Sequence, residues 1–144
     1  MSVVVGQRHV EDTPANRMFY ALDSCRELAV HTIRICSNEE IFDARYRNIT
    51  QKTVEYAVRI YMSAWSANNV LVKTADDWKI RRQYQRDAVL SCNTLLAMID
   101  LSKQLYHLRS RKVKYWAMMV IKTRTMLRKW AEADQKRYGK LQQP

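Results

Sequence analysis

RSRKVKYWAMMVIKTRTMLRKWAEADQKRYG, residues 109–139, is the stretch on which the fold turns. Laid along a helix, Val113, Trp116, Ala117, Val120, Leu127, Ala131 and Asp134 fall within one face, the spacing of a helix that buries one side. Arg124 falls near the same line, where its aliphatic stem can lie along apolar surface while the charge reaches water. The opposite face carries Tyr115, Met118, Lys122, Met126, Lys129 and Lys136, with Met119 beside it. Such a face reads either as solvated with scattered apolar side chains or as one that packs on another copy of the chain or a protein partner. Tyr115, Met118, Met119 and Met126 are therefore the candidate oligomer or partner interface. Ser110 is the expected cap of this helix and Gly139 its expected left-handed terminator.

Most of the charge sits in the same stretch. The chain carries 25 Lys and Arg against 14 Asp and Glu, a net charge of +11. From Arg109 onward the net is +9, because the only acids there are Glu132 and Asp134; the residues before it contribute +2. A second basic cluster, Lys79, Arg81, Arg82 and Arg86, lies where the third helix is expected to begin, an unfavourable place for cations in the field of the helix dipole. This concentration exceeds what solubility requires and points to a polyanion, bound through phosphates and sensitive to salt. The candidate nucleic-acid contacts are Lys79, Arg81, Arg82 and Arg86 in the first cluster. In the terminal helix they are Arg111, Lys112, Lys114, Lys122, Arg124, Arg128, Lys129, Lys136 and Arg137. An α-helix does not fit the deep, narrow major groove of A-form RNA, so contacts to the backbone of single-stranded or structured RNA are expected.

The rest of the chain predicts an all-α fold. Gly6, Gly139, Pro14 and Pro144 are the only glycines and prolines, and all lie near the ends. A multi-stranded sheet would need turn residues in between. Thr13 and Pro14 start a first helix to about Cys36, with Met18, Leu22, Cys25, Ala29, Thr32 and Cys36 on its inner line and Leu28 and Ile33 beside it. A second runs from about Thr50 to Leu71 with two stripes. One is Val54, Val58, Tyr61, Trp65 and Asn68; the other, rich in small residues, is Ala57, Ile60, Ala64, Ala67 and Leu71. A third runs from about Asp77 to Tyr106, announced by a capping-box pattern at Thr74 and Asp77. Its line is expected through Tyr84, Ala88, Ser91, Leu95, Met98, Ser102 and Leu105. Short connections between four amphipathic helices imply an antiparallel, up-down-up-down four-helix bundle. The expected layout is an N-terminal arm at 1–12, the bundle at 13–139 and a C-terminal tail at 140–144. Trp65, Trp116 and Trp130 are expected in the core, leaving Trp78 as the best candidate for stacking on a base.

Several classes of function find no support. No apolar run is long enough to span a bilayer, and no signal peptide is expected. Cys25, Cys36 and Cys92 are odd in number and unrelated in spacing, which suits free buried thiols and a cytoplasmic location. His9, His31 and His107 have no second ligand at metal spacing, so no metal is expected. No catalytic constellation and no glycine-rich phosphate loop is present, so neither an enzyme nor a cofactor is expected. A basic scaffold that meets an acidic protein, with no nucleic-acid role, is the alternative to polyanion binding.

The chain also resembles a bacterial four-helix-bundle family that includes the accessory variability determinants of diversity-generating retroelements and proteins encoded within 23S ribosomal RNA intervening sequences. The resemblance covers nearly the whole chain. It rests on Ser2-Val3-Val4 with Gln7-Arg8, Arg45-Tyr46, Ala67-Asn68, Arg81-Arg82 with Tyr84, and Lys136-Arg137-Tyr138. It implies a small basic non-enzyme, assembled as a homopentamer. Such a protein would bind the retroelement reverse transcriptase and its template RNA, and DNA as a further ligand, in support of mutagenic complementary-DNA synthesis.

Overall fold

A computed structural model describes residues 2–5, 8–11 and 13–142. Four helices follow a short hairpin: α1 Pro14–Cys36, α2 Arg47–Asn68, α3 Ala75–Tyr106 and α4 Ser110–Tyr138. Each helix packs on two others, α1 on α2, α2 on α3, α3 on α4 and α4 back on α1, which closes a four-helix bundle. None of these helices is long and apolar enough to cross a membrane. The N-terminal arm contains two antiparallel strands, β1 Ser2–Val5 and β2 Arg8–Glu11, paired in the register Val3 with Val10 and Val4 with His9. Met1, Gly6, Gln7 and Asp12 of the arm, and residues 143 and 144 of the expected tail, lie outside the described residues.

Local chemistry fixes most of the helix ends. The Thr13 hydroxyl accepts from the Asn16 N–H at 3.2 Å and starts α1. Thr74 and Asp77 form a complete capping box, so α3 begins two residues earlier than the pattern suggested. The Asp77 carboxylate accepts from the Lys73 and Thr74 N–H groups at 3.0 Å each, and these bonds hold it below its ordinary pKa. The second helix is displaced toward the N-terminus: it starts at Arg47 and ends at Asn68, where Asn69 bonds back to the Trp65 carbonyl. Leu71 is consequently an exposed loop residue and not part of the inner stripe.

Two expected caps are corrected. Ser110 is the first helical residue of α4; Arg109 takes the cap position, and its side chain makes no capping bond. Gly139 is right-handed, with φ −57° and ψ −32°, and the chain continues through a 3-10 turn, Gly139–Gln142, tied to α3 by Arg82 and Gln142 at 3.1 Å. The left-handed residue is instead His107, φ 53°, which ends α3 and opens the tight connection into α4.

The core is built from the small-residue stripe of α2 (Ala57, Ile60, Ala64, Ala67), from Ala21, Cys25 and Leu28 of α1, and from Ala88, Cys92, Leu95 and Ile99 of α3. Trp116, Val120, Leu127 and Trp130 of α4 complete it. The other expected line of α2 lies at the flank: Val54 and Tyr61 are partly buried and Trp65 is 51% exposed, so Trp65 is not a core residue. Trp78 is its reverse, fully buried with its ring 5.6 Å from that of Tyr138, and so cannot serve as a stacking platform. On α1 the buried line runs through Ala21, Ser24, Cys25, Leu28 and Thr32, leaving Ile33 exposed.

Candidate nucleic-acid interface

The outer surface of α4 is where the chain's charge is displayed. Helices α1 and α3 flank α4 in the bundle, so only its outward arc is free of the protein. Lys122, Lys129 and Lys136 recur every seven residues and continue the line of Tyr115, about 10 Å apart along the axis. All four are exposed. Arg111, Lys112 and Lys114 at the start of α4, and Arg128 and Arg137 further along, are exposed as well. Among the described residues the ion pairs shown engage Arg26, Arg45, Arg59 and Arg81, and none engages an exposed cation of α4. Among the described residues the surface charge of α4 is thus uncompensated by ion pairs.

Three expected contacts differ from that set. Arg81 is only 8% exposed; its Nε donates to Asp134 Oδ2 at 2.7 Å, and its guanidinium lies 5.3 Å from the Trp130 ring centre. It is a structural residue of the core. Arg82 is half-buried and bonded to Gln142. Arg124 is half-buried too, with Nη1 donating to Asn93 Oδ1 at 2.7 Å, so its stem packs between α3 and α4. Lys79 and Arg86 stay exposed at the start of α3, without an acidic partner among the described residues.

The apolar residues of the back face divide. Tyr115 and Met118 are exposed, with Ile121 beside them. Met119 and Met126 pack partly against the protein's own core. Only the first pair is available to a partner.

Where α1 ends and α4 begins, a cleft of about 940 Å³ opens, lined by both helices and by the connection around Phe42. Arg34 from α1, Arg45 from the connection, and Arg109, Arg111 and Lys112 from the start of α4 line it, with Glu40 and Asp43 as its acids. Asp43 is already committed to Arg45 at 2.9 Å, and the bonds from Arg45 hold its carboxyl below the usual range. Burial pushes the His31 imidazole below its ordinary value. The Tyr115 ring stands beside His31, their centroids 5.4 Å apart. Phe42, Tyr106 and Trp116 are buried beneath. Tyr106 donates to the Asp43 carbonyl at 2.9 Å and so fixes the wall that the connection provides. Arg34 and Arg45 are far from α4 in sequence and only the bundle brings them to it; the single local sign was Arg34 in the last turn of α1.

Cys25, Cys36 and Cys92 are buried, and burial raises all three thiols, Cys36 and Cys92 to about 12. Among the described residues no three His, Cys, Asp or Glu side chains converge as a metal site. Comparisons with protein-family models, with curated proteins and with solved structures find no match to this chain.

Proposed function

We propose that this protein is a non-enzymatic nucleic-acid-binding subunit that holds an RNA strand by its phosphates along the outer face of α4. One observation carries the reading: among the described residues the exposed cations of α4 have no acidic partner in an ion pair, although the chain holds 14 acids. Uncompensated cations along one rod attract a polyphosphate through counterion release, with little dependence on base sequence. Lys79 and Arg86 would extend the contact onto α3. The resemblance seen in the sequence supplies the context: the partners to test first are a retroelement reverse transcriptase and its template RNA, in a homopentameric assembly that supports mutagenic complementary-DNA synthesis.

The test is direct. Protein stripped of nucleic acid is titrated with single-stranded RNA and with duplex DNA over a series of salt concentrations. Binding that weakens linearly on a log–log plot supports the reading. Protein that ignores both ligands in dilute buffer ends it, and capture of an acidic protein that survives nuclease treatment would then favour a scaffold.

A further inference from the structure

We infer that the cleft between the end of α1 and the start of α4 is a nucleotide pocket, which seats one unpaired nucleotide of a bound RNA strand with its phosphate between Arg34, Arg109 and Arg111 and its base on the Tyr115 ring. The inference rests on the RNA-binding reading above and narrows it to one place.

Shape is the first support. At about 940 Å³ the cleft has the size of a small-molecule site, ample for a nucleotide. Charge is the second. Arg34 arrives from α1 and Arg109, Arg111 and Lys112 from the start of α4, and among the described residues none is in an ion pair. Arg45 is neutralised by Asp43, which leaves Glu40 as the one lining acid against four cations. Cations on a concave wall focus their field into the cavity. Guanidinium forks match phosphate oxygens in pairs, which a lysine cannot do. The first turn of α4 has no acid and no capping side chain, so its cations oppose the helix dipole. A phosphate seated there is attracted by both.

The aromatic wall distinguishes a nucleotide from other anions. Tyr115 is 62% exposed at the edge of the cleft, whereas Phe42 and Trp116 are sealed beneath it. An exposed ring beside unpaired arginines offers a base a face to lie on. An acidic protein segment would satisfy the arginines and leave that ring without a matching group.

The experiment uses the full chain, freed of nucleic acid. A labelled single-stranded oligouridylate is titrated by fluorescence anisotropy, and dextran sulfate, a polyanion without bases, by calorimetry. Tyr115→Leu is expected to weaken oligouridylate binding about fivefold or more and to leave dextran sulfate binding unchanged. Tyr115→Trp, which keeps an aromatic face, is expected to restore it. Arg34→Gln combined with Arg109→Gln should weaken both ligands. RNA affinity untouched by Tyr115→Leu overturns the pocket, as does polyglutamate that binds as tightly as RNA and loses its affinity with the arginines. The two readings fail differently. Wild-type protein that binds no RNA removes the general proposal. RNA binding that survives the cleft variants but falls with Lys122→Gln, Lys129→Gln and Lys136→Gln removes the pocket alone.

Discussion

Arg81 Nε lies 2.7 Å from Asp134 Oδ2, and Gln85 Nε2 lies 2.7 Å from the same oxygen. This buried knot joins the start of α3 to the last turns of α4. Breaking such a pair strands a charge away from water, which costs far more than the pair itself contributes. Asp134→Ala should therefore destabilise the protein by about 3 kcal/mol and lower Tm by about 10 °C in thermal denaturation followed by circular dichroism. RNA affinity measured well below the new Tm should not change. A loss of RNA affinity with unchanged Tm would return Arg81 to the ligand surface.

The lysines of α4 make the opposite prediction. Lys122, Lys129 and Lys136 are exposed and in no ion pair among the described residues, so replacing all three by Gln should leave Tm nearly unaltered. The slope of log affinity against log salt should become shallower by about 2, since each phosphate contact on a single strand contributes roughly 0.7. An unaltered slope excludes these three from the phosphate track.

Tryptophan emission separates Trp65 from Trp78. Trp65 is 51% exposed, while Trp78, Trp116 and Trp130 are fully buried or nearly so. Trp65→Phe should abolish most acrylamide quenching and cost little stability. Trp78→Ala should cost about 3–5 kcal/mol through the cavity it leaves. Strong quenching that persists in Trp65→Phe contradicts this placement.

The thiols should be silent until the protein unfolds. Burial raises all three, and for Cys25 the neighbouring Cys92 adds to it, so the reactive thiolate is scarce near neutral pH. Native protein at pH 8 should react with a disulfide reagent only at its unfolding rate, and all three cysteines should be released together in denaturant. Fast labelling of one cysteine in the native state would show local opening of α1 or α3.

The cap of α3 carries a pH signature. The pKa of Asp77 is lowered from 3.8, chiefly by the Lys73 and Thr74 N–H groups. A carboxyl lowered by folding adds stability that is present above its unfolded value and is lost as pH falls through the folded one. The stability difference between wild type and Asp77→Ala should therefore be constant above about pH 4 and shrink below it. A difference that persists undiminished to pH 2 would mean the carboxylate bonds do not matter.

The sequence by itself determined the fold class and most helix ends. A middle without glycine or proline leaves little but helices, and caps such as Thr13 and Thr74 act on residues three positions away, within reach of local reading. What it placed poorly were helix faces. The buried line of α3 runs through Trp78, Arg81, Gln85, Ala88, Cys92, Leu95 and Ile99. Its heptad spacing is regular, but arginine and glutamine at two of its positions hide it from any count of apolar residues. Those polar groups are tolerated inside only because Asp134 arrives from the far end of the chain to accept from both. On α2 the larger side chains, Trp65 among them, drew the reading, while the alanines won the interior because a neighbouring helix can approach them more closely. The cleft was invisible for the same reason. Arg34 and Arg109 stand far apart in the sequence, and only closure of the bundle, which sets the end of α1 against the start of α4, makes one electrostatic environment of them.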